Sequence, residues 1–463
     1  MIDSATPLST PLLAALAAQI GPVPRYTSYP TAPHFQTVDN DRAWRGWLGE
    51  LPDDSAFNLY VHVPFCRQMC WYCGCHTQVV KNDDTLERFL QLLLREIELT
   101  LPYLPSRPRL TGLHFGGGTP SILGGDGLQR VAEKLYHHFT PEPGAEIAIE
   151  LDPRRFDASL IPGLKALGIN RTSLGVQSLD ESVQAAINRR QPLDMVARTV
   201  GMLREAGITS LNLDLIYGLP RQTVENVVST VQQSMMLNPD RVALFGYAHV
   251  PWMKAHQARI DTASLPDTAA RFAQEAAAAQ TLVENGFCRV GLDHFARPDD
   301  RLAQHAVNGE LHRNFQGYTT AVGEVLLGFG PSAISTLPQG YAQNIPSVAS
   351  WRQAVHNGDL PVARMRGLSQ EDILRRAVIE ELMCHLKVDL AEMAVRYGTA
   401  PGIFDADLPR LALLERHGVV QRDGYRVVIE EAGRPLVRQV CASFDSYLQQ
   451  QTAGSVQPRH AAA

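Results

Sequence analysis

The feature that narrows the fold most is a long alternation of short apolar runs with longer amphipathic ones. Asn58 to Val63 (NLYVHV) predicts a strand, and further strands are predicted at Leu110 to Phe115, Ala145 to Glu150, Arg171 to Val176, Ser210 to Leu215, Arg241 to Tyr247 and Arg289 to His294. Apolar residues at helical spacing fill the gaps, over about Asp84 to Leu101, Gly127 to His138, Leu193 to Glu205, Val224 to Met236 and Thr268 to Asn285. Strand and helix in turn imply a parallel sheet covered by helices. Six or so such units can build an incomplete barrel, a complete one or an open doubly wound sheet, and periodicity does not choose among them. In each case the working face lies at the carboxyl ends of the strands. The chemistry-bearing residues fall there: Cys66 to Cys75 after the first strand, Gly116 to Pro120 after the second, Glu150 and Asp152 at the third, Gln177 at the fourth and Asp214 at the fifth.

The flanks differ. A polar opening leads to PRYTSYPTAPHF, residues 24 to 35, which reads as an ordered but irregular arm. From about Gly367 the pattern turns helical, over Gln370 to His385, Leu390 to Tyr397 and Leu408 to His417. A hairpin around Arg422 to Gly424 and a last helix from Arg434 to Gln449 follow. This looks like a winged-helix-like domain without a basic recognition face. The expected organisation is an N-terminal arm over 1–50 covering the site, a catalytic barrel over 51–365, a C-terminal mainly helical domain over 366–452 and a disordered tail over 453–463.

A net charge of -6 on 463 residues argues against a nucleic-acid partner. Five lysines stand beside 37 arginines; arginine forks suit a ligand rich in carboxylates, although a compositional bias explains the excess equally well. No apolar run approaches the roughly 20 residues that span a bilayer, so no membrane partner is expected. The start lacks a basic n-region and carries Asp3, so it reads as part of the mature chain, and a cytoplasmic monomer is the expectation.

Of seven cysteines, Cys66, Cys70, Cys73 and Cys75 fall within ten residues. Such clustering in a large chain favours metal binding or catalysis over a disulfide framework. The spacing C-x3-C-x2-C puts three thiolates on one short loop, enough for three irons of a four-iron cluster and leaving the fourth iron open. S-adenosylmethionine can chelate that open iron, and reductive cleavage there releases a 5'-deoxyadenosyl radical. A zinc knot drawn from His62, the four cysteines and His76 is the competing reading, but no second C-x2-C pair follows downstream. The run Gly116-Gly117-Gly118-Thr119-Pro120 ends a strand and lets backbone approach a ligand closely. Glu150 ends the next, where a carboxylate can accept from ribose hydroxyls.

The cysteine triplet after a strand, with Tyr72 before its last member, is similar to the radical S-adenosylmethionine superfamily. Taken in order, PRYTSYPT, YVHVPFC, CWYCGC, GGGTP, IELDPR, GVQS, NRRQ, NLDLIYGLP, DHFARPDD, LHRNFQGYTT and SAIS resemble the oxygen-independent coproporphyrinogen III oxidases, from about residue 24 to 450. Haem-binding chaperones related to that family share the cluster loop and GGGTP, but resemble this chain less at its start and commonly carry Phe where Cys75 stands. Radical methyltransferases and haem-degrading relatives are more distant alternatives.

The resemblance implies an α/β fold, an incomplete parallel (β/α)6 barrel with an N-terminal arm and a C-terminal helical domain. It implies one [4Fe-4S] cluster on Cys66, Cys70 and Cys73, and two S-adenosylmethionine molecules. Tyr60, Gly117, Glu150 and Ile334 would contact the first; Tyr72, Gly118, Thr119, Gln177, Arg189, Asp214 and Ala248 the second. Tyr72 departs mildly from the pattern, where another aromatic is common. Cys75 is a candidate for turnover, and the arm would bring Arg25 and Tyr26 near substrate propionates. The implied substrate is coproporphyrinogen III. Its partners would be an electron donor such as flavodoxin or ferredoxin and an unidentified electron acceptor.

Overall fold

The computed structural model describes residues 8–106, 108–321, 323 and 325–448; the expected tail lies outside the described residues. The arm begins with a helix, Thr10–Ile20, where a polar opening was expected, and its Leu13 and Leu16 are buried in the core of the C-terminal region. A two-residue strand, β1 (Gln36–Thr37), then pairs antiparallel with a strand more than 300 residues downstream.

The centre of the fold follows from alternation within strands, since successive side chains face opposite sides. In β2 (Ala56–Val63), Phe57, Leu59, Val61 and Val63 are buried in the main apolar core, and Asn58, Tyr60 and His62 take the other face. Two short strands, β3 (Phe65–Cys66) and β4 (Gln78–Val79), bracket the cysteine loop. The same alternation runs through β5 (Arg109–Gly117), β6 (Thr140–Leu151), β7 (Arg171–Gln177), β8 (Ser210–Tyr217) and β9 (Arg241–Gly246). The apolar set packs on the helices. The polar set, including His114, Glu150, Ser173, Asn212 and Asp214, lines an interior cavity of about 140 Å³.

β2, β5, β6, β7, β8 and β9 are neighbours in that order and all parallel. The six-strand parallel core is therefore as expected, and the sheet does not close. It continues at both edges. Arg289 to His294 is not one strand: β10 (Cys288–Val290) and β11 (His294–Ala296) pair antiparallel across a turn, and β11 pairs antiparallel with β9. A hairpin, β12 (His312–Asn314) with β13 (Gly317–Thr319), follows. β14 (Val325–Phe329) then pairs parallel with β2, and β15 (Ile334–Leu337), β16 (Gly340–Asn344) and β17 (Val362–Gly367) extend the sheet antiparallel until β1 caps it.

Two carboxylates, Glu146 partly buried and Glu96 buried, tie these layers together. Glu146, midway along β6, meets Arg171 (2.9 Å) and Arg241 (3.0 Å), and Arg241 also meets Asp300 (2.9 Å). Burial alone would raise the Glu146 pKa, but the two guanidiniums hold it down at about 2. This network floors the lumen. Glu96, on the helix Asp83–Thr100, instead faces no cation among the described residues: it accepts from Gly330 N (2.8 Å), Asn344 Nδ2 (2.6 Å) and Trp351 Nε1 (3.0 Å).

The C-terminal region has its own core, which includes Leu374, Leu382, Phe404 and Phe444 together with Tyr26 and Tyr29 of the arm. The helix Gln370–His385 is as expected. Leu408 to His417 is not one helix but a short 3-10 turn followed by Ala412–Arg416. Nor is Arg434 to Gln449 continuous: the α-helix covers Val437–Ala442, after a 3-10 segment containing Pro435. Proline removes a donor and clashes with the preceding turn, which explains the irregular start. The expected hairpin, β19 (Val420–Asp423) with β20 (Arg426–Ile429), gains a third strand, β18 (Lys387–Asp389). Among the described residues, no helix is long and apolar enough to cross a membrane.

Candidate active site

The cysteine loop leaves β2 and is fastened along its length. Residues 65 and 66 pair with 78 and 79 at its ends, and Trp71 N donates to Ile187 O (3.0 Å). Three side chains that the sequence reading missed hold its carbonyls: Gln257 Nε2 donates to Tyr72 O (2.9 Å), His256 Nε2 to Cys73 O (2.7 Å) and Lys254 Nζ to Cys75 O (2.9 Å). Asn188 Nδ2 adds a bond to Met69 O (2.9 Å). Only NRRQ drew attention to one of these positions; Lys254 caps, and His256 and Gln257 lie in, a single 3-10 turn (Ala255–Arg259) too short to carry a periodic signal.

The sulfur atoms face hydrogen-bond donors and positive charge. Thr119 Oγ1 donates to Cys66 Sγ (3.4 Å), while Arg154 Nη2 and Arg189 Nη1 approach Cys70 Sγ at 3.4 and 3.5 Å. Asp152 braces both arginines, at 2.6 Å from Arg154 and 3.4 Å from Arg189. Burial would raise the Asp152 pKa, yet Arg189 and Arg154 pull it to about 2. Cys75 is exposed, and its thiol hydrogen-bonds Cys73, lowering the Cys73 pKa and raising its own. Among the described residues no three His, Cys, Asp or Glu side chains are gathered around one ion. A four-iron cluster needs a wider set, because each thiolate takes a different iron. Three thiols on one loop, backed by two guanidiniums, suit a cluster with anionic ligands.

The glycine run is squeezed between neighbours. A Cβ on Gly117, whose φ is +108°, would stand 2.6 Å from the His62 ring; on Gly116 it would meet Glu150 Oε1 at 2.8 Å, and on Gly118 the Phe65 carbonyl at 2.5 Å. His62 is itself fixed, with Nε2 donating to His76 O (2.8 Å) and Nδ1 accepting from the Tyr60 hydroxyl (2.9 Å). Burial lowers its pKa to about 4, so the ring is neutral.

Tyr60 stacks on His114 (ring centroids 6.0 Å), and His114 Nε2 lies 3.3 Å from Glu150. Asp214 accepts from Ser173 Oγ and Asn212 Nδ2, both at 2.8 Å. Burial and the nearby Glu150 charge raise its pKa to about 6. Gln177 has φ +66° at a bulge ending β7 and lies over Gly175 with Arg189. The Ala248 carbonyl accepts from Gln257 (3.2 Å). Ile334 begins β15, its carbonyl 2.9 Å from where a Gly328 Cβ would be. Glu150 and Asp214 thus share one lumen, while the cysteine loop, glycine run, Gln177 and Arg189 stand at its carboxyl-end mouth.

Arg25 and Tyr26 divide. Arg25 is exposed. Tyr26 borders a larger cavity of about 510 Å³ beside the hairpin, but its hydroxyl turns into the C-terminal core and donates to Asp445 (3.0 Å). The larger cavity shares Asn58, Asn314, Thr319 and Ala321 with the lumen.

A parallel α/β sheet that ends its first long strand in this three-cysteine loop defines a radical S-adenosylmethionine protein, and residues 60–233 match the Radical SAM superfamily. Residues 368–436 match the HemN C-terminal domain. The oxygen-independent coproporphyrinogen III oxidase of Bradyrhizobium diazoefficiens is 47% identical over 92% of this chain and 95% of its own length; that of Escherichia coli K12 is 38% identical over 92% and 93%. The solved structure of the Escherichia coli coproporphyrinogen III oxidase HemN, described as a radical SAM enzyme, aligns with TM-score 0.87 and 37% identity, covering 92% of this chain and 98% of that one. The chain belongs to the oxygen-independent coproporphyrinogen III oxidase family. Its cofactors are a [4Fe-4S] cluster and S-adenosylmethionine.

Proposed function

We infer that this chain converts coproporphyrinogen III to protoporphyrinogen IX without oxygen, in porphyrin and haem biosynthesis. The carrying observation is that relatives bearing that name align over 92% of the chain, so the likeness extends well beyond the radical core at residues 60–233. Each of two propionates loses one hydrogen atom, one carbon dioxide and one electron, leaving a vinyl group. When bound, the reduced cluster and S-adenosylmethionine supply the 5'-deoxyadenosyl radical that takes the hydrogen atom.

The chain's own residues hold, orient and shield. Cys66, Cys70 and Cys73 are the cluster ligands in this reading; Arg154 and Arg189 offset thiolate charge at Cys70. Tyr60, Gly117, Glu150 and Ile334 serve one S-adenosylmethionine. Tyr72, Gly118, Thr119, Gln177, Arg189, Asp214 and Ala248 serve a second. The packed floor at Glu146, Arg171 and Arg241 and the apolar outer layer limit water and stray hydrogen donors in the lumen. The reading is completed by a monomer in the cytoplasm, a flavodoxin or ferredoxin as donor and a separate acceptor for the electron left after decarboxylation.

The test is anaerobic incubation with coproporphyrinogen III, a reductant and S-adenosylmethionine, followed by mass spectrometry of the oxidised porphyrin. Loss of two carbon dioxide molecules per substrate is expected, and Asp214→Ala or Gln177→Ala should suppress it. A haem-binding chaperone would bind haem and leave the porphyrinogen unchanged. Unchanged substrate despite an intact cluster and cleaved S-adenosylmethionine would overturn the assignment.

A further inference from the structure

Three of the eight large apolar side chains exposed among the described residues belong to one stretch: Phe245 near the end of β9, and Trp252 and Met253 beyond it, exposed by 68% and 51%. Exposed apolar residues are ordinary when scattered singly, but not when grouped at the mouth of a lumen. Phe245 lines the lumen itself and packs edge-on against His294. Trp252 and Met253 sit on a turn, residues 250–254, that is held at both ends. Met253 N and Lys254 N donate to Val250 O (both 2.9 Å), Val250 N donates to the buried Gln257 (2.6 Å), and Lys254 Nζ reaches Cys75 O (2.9 Å). The turn thus keeps an indole and a thioether in solvent beside the cysteine loop.

The lumen cannot take a tetrapyrrole whole. Pockets that enclose even a drug-sized ligand run to roughly 300–1,000 Å³. The lumen measures about 140 Å³, room for one propionate arm and not for the ring. The cavity of about 510 Å³ falls in that range but is badly placed. It adjoins the lumen at Asn58, five residues before the carboxyl end of β2, or roughly 17 Å away at the rise of a strand. Hydrogen abstraction needs the reacting atoms about 3–3.5 Å apart, and the cysteine loop stands at the carboxyl end. A ring whose propionate reacts there must lie across the mouth, against its rim.

We propose that Trp252 and Met253 form the platform on which one face of the tetrapyrrole rests while a propionate enters the lumen. This rests on the function inferred above. An indole buries a large apolar area against pyrrole rings while its N–H stays in water at the edge. An unbranched thioether fits an uneven macrocycle better than a branched side chain would. Because Gln257 and Cys75 O already hold the turn, its ordering is not a cost of binding. An electron-donor protein seated on the same tip would close the mouth to substrate, which leaves the small ligand as the occupant.

The test uses the reconstituted holoenzyme, with fluorescence titration of the stable porphyrin coproporphyrin III for binding. Anaerobic turnover of coproporphyrinogen III is then driven by either dithionite or reduced flavodoxin. Trp252→Ala should bind coproporphyrin III about tenfold more weakly and raise KM with both electron sources, and Met253→Ala should do so by about threefold. Trp252→Phe should recover most of the loss. Met236→Ala, an equally exposed apolar site that leads into the amino end of β9, should match the wild type. Thermal midpoints and iron content control for folding. A defect with flavodoxin alone would make the tip a docking point for the donor and overturns the proposal; so does slower turnover at unchanged porphyrin affinity. Wild-type behaviour in both alanine variants also overturns it, while conversion by the wild-type enzyme leaves the functional reading standing. A wild-type protein that binds coproporphyrin III through Trp252 yet converts nothing would keep the platform and sink that reading; one that neither binds nor converts would sink both.

Discussion

Arg189 and Asp152 form a buried ion pair (3.4 Å) whose guanidinium also reaches Cys70 Sγ, so a strand-end carboxylate acts on the cysteine loop through an arginine 37 residues downstream. Arg154 repeats the arrangement from the other side. Removing Arg189 leaves Asp152 with one cation instead of two and Cys70 with one donor fewer. Breaking one side of a buried pair costs about 3–5 kcal/mol, and the remaining Arg154 should reduce that to about 2 kcal/mol. Arg189→Met is therefore expected to lower the thermal midpoint and to retain less iron after anaerobic reconstitution. Wild-type values for both would show that Arg154 suffices.

The four clustered cysteines should separate into three and one. Cys66→Ser, Cys70→Ser and Cys73→Ser should each lose most of the iron and all cleavage of S-adenosylmethionine. Cys75→Ser should keep the cluster but turn over poorly, because a fourth thiolate on the open iron would block chelation of the cofactor. Iron and sulfide analysis decides it: loss of the cluster from Cys75→Ser would make Cys75 a ligand.

Gly117 tolerates no side chain. Its φ of +108° is strained for any other residue, and the His62 ring 2.6 Å from a built Cβ is held by Tyr60 on one side and His76 O on the other. Backbone strain and overpacking together should make Gly117→Ala about 2–4 kcal/mol less stable. Gly46, on a helix with nothing within 4 Å of its Cβ position, is the control, and Gly46→Ala should be neutral or stabilising. Equal urea midpoints for the two variants would refute the account.

The parallel core was legible because each strand carries its own signal. In LNLDLIY, apolar Leu211, Leu213 and Leu215 alternate with Asn212 and Asp214, so the chemistry had to fall on the lumen side. The additions at the sheet edges were not legible. β14 to β17 are short, interrupted by glycine and paired with one another or with β2 far upstream, and β1 has only two residues. A strand of that length is defined by its partner rather than by its own pattern. The helix Thr10–Ile20 was missed for a related reason: its apolar side faces a core formed some 360 residues later. At the site, the cysteines and the glycine run announced themselves, but the holders of the loop, Lys254, His256 and Gln257, act on backbone carbonyls and leave no spacing to read.

Glu96 gives the fold a pH dependence whose sign is fixed by its surroundings. It is buried with no cation beside it among the described residues, and although Gly330, Trp351 and Asn344 donate to it, burial raises its pKa to about 7. In the unfolded chain the carboxyl loses its proton near the ordinary value of 4.5, whereas in the folded chain it keeps the proton until about 7. Between those limits unfolding releases a proton, so the contribution of this carboxyl to stability is greatest below pH 4.5, falls as pH rises toward 7, and is flat beyond. At about 1.4 kcal/mol per pH unit the carboxyl contributes a decline of roughly 3 kcal/mol. Glu96→Gln is neutral throughout and should lack that decline. The consequence reaches the site, because Glu96 joins the helix after the cysteine loop to Gly330 and Asn344, which flank the strand that begins at Ile334. Urea midpoints of both proteins measured from pH 5 to 8 check the claim: the wild-type advantage over Glu96→Gln should shrink steadily up to about pH 7, and parallel curves would show that Glu96 does not titrate in this range.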